Sequence, residues 1–259
     1  MSEGLRQQVE DMTAFVKGTK IVERFIGTVS GSYRRNQATV RVEDMLRTIG
    51  KEKGTVVPHV IATVSAAEMK GVPFIAMEML NGESLGKAAY EKKIKYDNDF
   101  IRQETWMQLQ DVLTGQIDRH GDNVMLTENG PVAIDHDLSF PTSPPRDFAD
   151  KVPKSLVGLF QVRSRQKKKL ITTELAVDEK SPRNYCVPPV IDQEMFGIIT
   201  AIDLDKLRAT YQECGLTRLE IQAAMGRAEG LKRAAEKLKN QGRVIESDQW
   251  ETSPLVKEH

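Results

Sequence analysis

The chain has 259 residues, with 37 basic and 37 acidic side chains and a formal net charge of zero. That length suits a two-lobed unit with a sizeable core. The even charge balance excludes a global field that would draw the chain to nucleic acid or an anionic membrane, so any polyanion site must be local.

The first 20 residues are polar and charged and lack the apolar centre of a secretory signal. No stretch of the chain approaches the roughly 18 apolar residues of a membrane span. A soluble, cytoplasmic protein is the expectation, with export by another system left open. Residues 3–16 show weak helical periodicity, and residues 20–30 look strand-like, ending in Gly27-Thr28-Val29-Ser30-Gly31-Ser32. Val40, Val42, Met45, Leu46 and Ile49 then fall at helical spacing and stop at Gly50, which predicts a helix over 37–49. The apolar, β-branched runs 56–64 and 72–80, separated by the polar stretch 65–71, predict a strand pair. Asn81-Gly82 signals a turn, and Ser84 is placed to begin another helix.

Residues 98–113 are periodic in Phe100, Ile101, Leu109, Val112 and Leu113, with Asn98 or Asp99 as the predicted N-cap. The stretch 114–123 is too polar and too interrupted by glycine for either element. A short hairpin follows: Val124-Met125-Leu126, a turn at Glu128-Asn129-Gly130, then Val132-Ala133-Ile134. A proline-rich passage leads to a basic run of Arg163, Arg165, Lys167, Lys168 and Lys169. That run is either a solvated face or a docking site for an acidic protein segment, an inositol phosphate or an anionic headgroup. From Asp192 the periodicity is helical, most clearly over 216–239, and a polar tail is expected from residue 246. Cys186 and Cys214 have neither CxxC spacing nor a histidine pairing that would suggest zinc, and are read as two buried or unreactive thiols, with a disulfide as the alternative.

The chemistry concentrates between residues 114 and 141. Phosphoryl transfer from ATP asks mainly for positioning and for cations that neutralise charge on the phosphates. Asp118 is placed to orient or deprotonate an acceptor hydroxyl, with His120 as the competing base. Asn123 follows in the same loop. Asp135 comes at the far end of the hairpin, whose strands bring it back beside Asn123, the arrangement a magnesium site needs.

Asp118-Arg119-His120-Gly121-Asp122-Asn123 with Ala133-Ile134-Asp135 resembles the catalytic and metal loops of the phosphatidylinositol 3-/4-kinase superfamily and its actin-fragmin-kinase-like relatives. Ala133 to Pro141 is especially similar to type II phosphatidylinositol 4-kinases, where Ala-Ile-Asp and Phe-Pro frame the metal aspartate. The resemblance covers about residues 35–141. It implies an α+β, two-lobed kinase-like fold: a reduced N-lobe over 1–80 with a small antiparallel sheet and one helix, and a mainly helical C-lobe over 81–245. ATP and Mg2+ would be bound, Asn123 and Asp135 holding metal. Phe74 to Leu80 looks like the last N-lobe strand and the hinge, which sets Met77 near adenine and the backbone of Glu78, Met79 and Leu80 within its reach.

The departures are specific. No GxGxxG precedes the helix, and the backbone amides of Gly27 to Ser32 are the candidates to cover phosphates, beside the plainer reading of a hairpin turn. The phosphate-binding lysine is Lys20 or Lys17, with Glu43 as its acidic partner unless register puts Gln37 there. Asp137 stands where the familiar Asp-Phe-Gly motif has glycine, so a third acidic group either approaches the metal or faces solvent. The expected activity is transfer of the γ-phosphate to a hydroxyl. Protein serine or threonine is favoured over a phosphoinositide or soluble inositol phosphate; AMP transfer and a nucleotide-binding pseudokinase scaffold are the alternatives. Nucleic acid is not an expected partner.

Overall fold

The computed structural model describes residues 26–69, 72–91, 93–95, 97–116, 119–142, 161–163, 170–172, 187–250 and 252–257. It is a mixed fold of helices with small sheets. In chain order these are α1 (Ile26–Glu52), β1 (Val64–Met69), β2 (Val72–Met77), β3 (Gly82–Ser84), α2 (Leu85–Tyr90) and α3 (Asn98–Thr114). A single 3-10 turn, Gly121–Asn123, leads into β4 (Val124–Thr127) and β5 (Gly130–Ala133); β6 (Gln161–Arg163) and β7 (Leu170–Thr172) form a separate ribbon. Then come β8 (Ile191–Asp192), α4 (Gln193–Ala201), α5 (Leu204–Glu213), α6 (Arg218–Asn240), β9 (Val244–Ile245) and α7 (Pro254–Lys257).

α3 is the central post. Its buried residues run from Glu104 to Thr114 without a break, so over that stretch no side of it faces water. Asp97 caps it, accepting from the Phe100 N–H, one residue before the predicted cap. α1 and α6 pack on it, and Gln110 Nε2 donates to the Thr39 carbonyl of α1. One contiguous core runs from Ala38, Val42 and Leu46 of α1 through Trp106 and Leu113 to Leu231 and Trp250, crossing residue 80 without a gap. Burial of each such large side chain stabilises the fold by about 1.5–3 kcal/mol.

Three expectations need correction. Gly27 to Ser32 is neither a phosphate-covering loop nor a hairpin turn, because α1 starts at Ile26 and carries these residues as helix. Helix propensity is a weak prior, and each residue added to an existing helix gains a hydrogen bond without a new nucleus. The strand paired with β2 is 64–69, not 56–64: Val64 lies opposite Met77 and Met69 opposite Val72. The apolar run before it is buried at Val57, Val60, Ile61 and Ala62 because it threads the core. There Ala62 N–H donates to Ala133 O and Ala133 N–H to Val60 O, at 2.9 and 2.8 Å. Lastly, the polar tail from 246 carries a core residue: Trp250 is fully buried and its Nε1 donates to buried Asp192, which also takes Arg102 of α3 at 2.8 Å.

Asn81-Gly82 opens strand β3 rather than a free turn, with Gly82 opposite Thr127. A Cβ at Gly82 would collide with the Leu126 carbonyl, so glycine is what lets β3 close on β4. Ser84 caps α2 as predicted, its hydroxyl accepting from Lys87 N–H at 3.2 Å. Among the described residues, no helix is long and apolar enough to cross a membrane.

Candidate active site

The hairpin forms where its alternating apolar residues and glycine turn predict it. Its register, Val124 opposite Ala133, sets Asn123 against Ile134, and Ile134 N–H donates to Asn123 O at 2.9 Å. Asp135 is the next residue, so its backbone follows directly on the partner of Asn123, at the end of the hairpin away from its turn. Asn123 is buried and Asp135 half-buried. Asp118 lies outside the described residues, as do Lys17, Lys20 and the basic run beyond Arg163.

Arg119, between Asp118 and His120, organises the site. Its guanidinium is fully buried and pairs with both carboxylate oxygens of Asp111 on α3, at 2.9 and 3.0 Å. It also donates to Asn123 O at 3.0 Å and Ile134 O at 2.8 Å, and NH2 lies 3.2 Å from His136 Nδ1. One cation therefore holds α3, the Asn123 loop and the Asp135 loop in fixed relation. His136 is kept neutral: complete burial, reinforced by the Arg119 charge, holds its pKa well below the ordinary 6.5.

Among the described residues, the two non-glycine residues at positive φ are Asp135 (59°) and Phe140 (57°). They flank one turn. Such a backbone costs on the order of 1–3 kcal/mol and persists only where its surroundings over-determine it. Here they do: Ile134 O accepts from Arg119, Asp135 O from Gln116 Nε2 at 3.1 Å, His136 O from Ser139 N–H at 3.0 Å, and Asp137 O from Arg35 at 3.4 Å. Phe140 N–H donates back to Thr114 O at 2.6 Å, while its buried ring meets Tyr211 edge-on at 5.3 Å. Arg227 of α6 completes the C-terminus of α3, donating to the carbonyls of Leu113, Thr114 and Pro141.

His120 turns back on its own loop, where Nδ1 accepts from Asp122 N–H at 3.2 Å and caps the 3-10 turn. An imidazole that accepts through Nδ1 carries its neutral-state proton on Nε2, where it donates rather than takes a proton. Asp137 is half-buried, and its Oδ1 accepts from Asn36 Nδ2 at 2.8 Å.

On the N-terminal side Glu43 is on α1 as expected, and its carboxylate is engaged by other groups. Oε1 accepts from Val60 and Ile61 N–H at 2.6 and 3.1 Å, and Oε2 lies 2.9 Å from His59 Nδ1. His59 Nε2 reaches Glu78 Oε2 at 3.1 Å, and Glu78 also accepts from Thr63 N–H and Oγ1. The hydrogen bond to Glu43 pushes His59 up to about 9 against partial burial, with Glu78 adding to the rise. Burial alone would raise Glu78, but Thr63 and His59 hold it below its ordinary value. Glu78 N–H donates to Thr63 O, Met79 is exposed and Leu80 is half-buried. Met77 is half-buried. Gln37, the alternative to Glu43, is half-buried on α1.

The sequence did not point to His59, Asp111, Gln116 or Asn36, whose partners lie from eight residues away, for Asp111, to about a hundred, for Asn36. Arg119 and His136 were visible only as letters inside a motif. A surface groove of about 600 Å3 lined by Asp44, Arg47, Thr48, Lys51 and 54–57 contains none of the candidate residues and does not mark the site. Among the described residues no cluster of three or more His, Cys, Asp or Glu is arranged to hold a metal. Asn123 and Asp135 carry oxygen donors, the ligand type Mg2+ takes, and would be the residues to hold it, with waters and phosphate oxygens in the remaining positions. No protein-family model matches the chain, and no curated protein matches its sequence.

Proposed function

We propose that the chain is an ATP- and magnesium-dependent phosphotransferase that delivers the γ-phosphate to a hydroxyl, on a two-lobed kinase-like fold, with protein serine or threonine as the favoured acceptor. The observation that carries the reading is the hairpin end, where Ile134 N–H donates to Asn123 O and the next residue, Asp135, is held at φ 59° by hydrogen bonds on both sides. Backbone strain maintained at this cost is a mark of functional sites. In this reading Asn123 and Asp135 hold the metal, which when bound supplies charge neutralisation at the phosphate oxygens. Asp118 takes the proton of the acceptor hydroxyl as its oxygen bonds to the γ-phosphorus and ADP departs. His120 shapes the loop as a cap and is not the base.

One observation favours a second reading, a nucleotide-binding scaffold without transfer. Glu43 is committed to His59 and two backbone amides, instead of standing ready for a phosphate-binding lysine. Purified protein incubated with γ- and α-labelled ATP, with and without Mg2+, and with proteins, phosphoinositide vesicles and soluble inositol phosphates separates the readings. Magnesium-dependent γ-label on protein is the expected result. Label on a lipid or inositol phosphate moves the acceptor class, α-label means AMP transfer, and nucleotide binding without label supports the scaffold. A protein that binds no nucleotide overturns both.

A further inference from the structure

We propose that Asn36 is a positioning residue for the metal site, holding the strained Asp135 turn from α1 through its hydrogen bond to Asp137. The inference rests on the reading of Asn123 and Asp135 as metal ligands. Asn36 is 1% exposed, and its Nδ2 donates at 2.8 Å to Asp137 Oδ1, a charge-assisted contact. Its neighbour Arg35 grips the same residue through the main chain, donating to Asp137 O at 3.4 Å. Arg35 is itself anchored by Glu220 at 2.9 Å, and Glu220 is locked in a capping box with Thr217 at the start of α6.

The turn is therefore held from two directions. Gln116 and Arg119 hold the Ile134 and Asp135 carbonyls from the α3 side, and Asn36 and Arg35 hold Asp137 from α1. A residue at φ 59° relaxes when one side lets go, and the group that moves is the Asp135 carboxylate. This also accounts for an acidic residue at position 137. The side chain there is a handle for α1, which a glycine lacks.

The test uses Asn36→Ala, Asn36→Asp and the exchanged pair Asn36→Asp/Asp137→Asn, in which the amide donor and carboxylate acceptor trade places. Outer-shell partners of metal ligands typically contribute about 10–100-fold to metal affinity. Asn36→Ala should accordingly raise the Mg2+ needed for half-maximal turnover about 10-fold. Asn36→Asp, which sets two carboxylates against each other, should raise it further, and the exchanged pair should recover most of the loss. Mn2+ affinity in the presence of ADP, read by electron paramagnetic resonance, should follow the same order without any turnover. Thermal unfolding confirms that each variant is folded. A folded Asn36→Ala with wild-type metal dependence overturns the inference, as does a loss that the exchanged pair fails to restore. A wild-type protein that holds no Mn2+ with ADP fails instead at the level of the proposed function.

Discussion

Two polar clusters, one around Arg119 at the end of the β4–β5 hairpin and one around His59 in the segment after α1, are built differently. Around Arg119 the groups are buried, the charges are arginine and aspartate, and the backbone beside them is strained. Around His59 the imidazole and Glu78 are each about a third exposed, at 31% and 32%, and the central cation is one that titrates. Arginine keeps its charge throughout the range in which histidine loses it. The first cluster is thus a fixed mount and the second an adjustable clasp. This agrees with the proposed chemistry, in which Asp118, Asn123 and Asp135 need constant geometry while the nucleotide side can respond to its ligand.

The comparison breaks most sharply at the reacting group. Asp118→Asn keeps the shape and removes the proton acceptor, so turnover should fall about 10²–10⁴-fold with nucleotide affinity nearly unchanged. His120→Ala should instead cost about 1 kcal/mol of stability through loss of a cap and leave the pH profile of turnover in place. Parallel rate and binding measurements decide, and a large rate loss at His120 alone would reverse the two roles.

The fixed mount is tested by Arg119→Met, which leaves Asp111 as an unpaired buried charge and should cost about 3–5 kcal/mol in denaturant unfolding. Adding Asp111→Leu removes the stranded charge and should recover a good part of that loss. If the single and double variants are equally unstable, the backbone contacts of Arg119 matter more than its ion pair.

The smallest effect belongs to the clasp. His59 is raised from 6.5 to about 9, so its contribution is full below 6.5 and disappears as pH rises through about 9. Glu78 is lowered from 4.5, so its contribution is present above 4.5 and is lost as pH falls through the lowered value. The difference in thermal midpoint between wild type and His59→Gln should therefore be largest near about pH 6 and vanish by about pH 10. A difference independent of pH would mean that His59 acts by packing alone.

What was legible in the sequence was local. The hairpin, the Ser84 cap and the helices from Asp192 onward rest on periodicity, turn chemistry and capping within a few residues, and they stand where the pattern predicts. What was not legible is held by distant partners. The 56–64 run looked like a paired strand because burial on all sides and strand pairing select the same apolar residues. Its true neighbour, Ala133, lies far along the chain. Gly27 to Ser32 looked like a turn because those residues are poor helix formers, yet α1 runs through them. At the candidate site, Asn123 and Asp135 were readable from the hairpin register, whereas Asp111, Gln116 and Asn36 reach the site only through tertiary contacts.

The most direct test of the account is the Mg2+-dependent ATP turnover of Asp135→Asn beside wild type. Asparagine tolerates the left-handed backbone at this position and keeps the side-chain volume, so folding should be preserved while the metal-binding charge is lost. Turnover should fall about 10²-fold or more, with an unchanged thermal midpoint. A folded Asp135→Asn protein that turns over ATP at the wild-type rate, with the wild-type requirement for Mg2+, would contradict the assignment of this site.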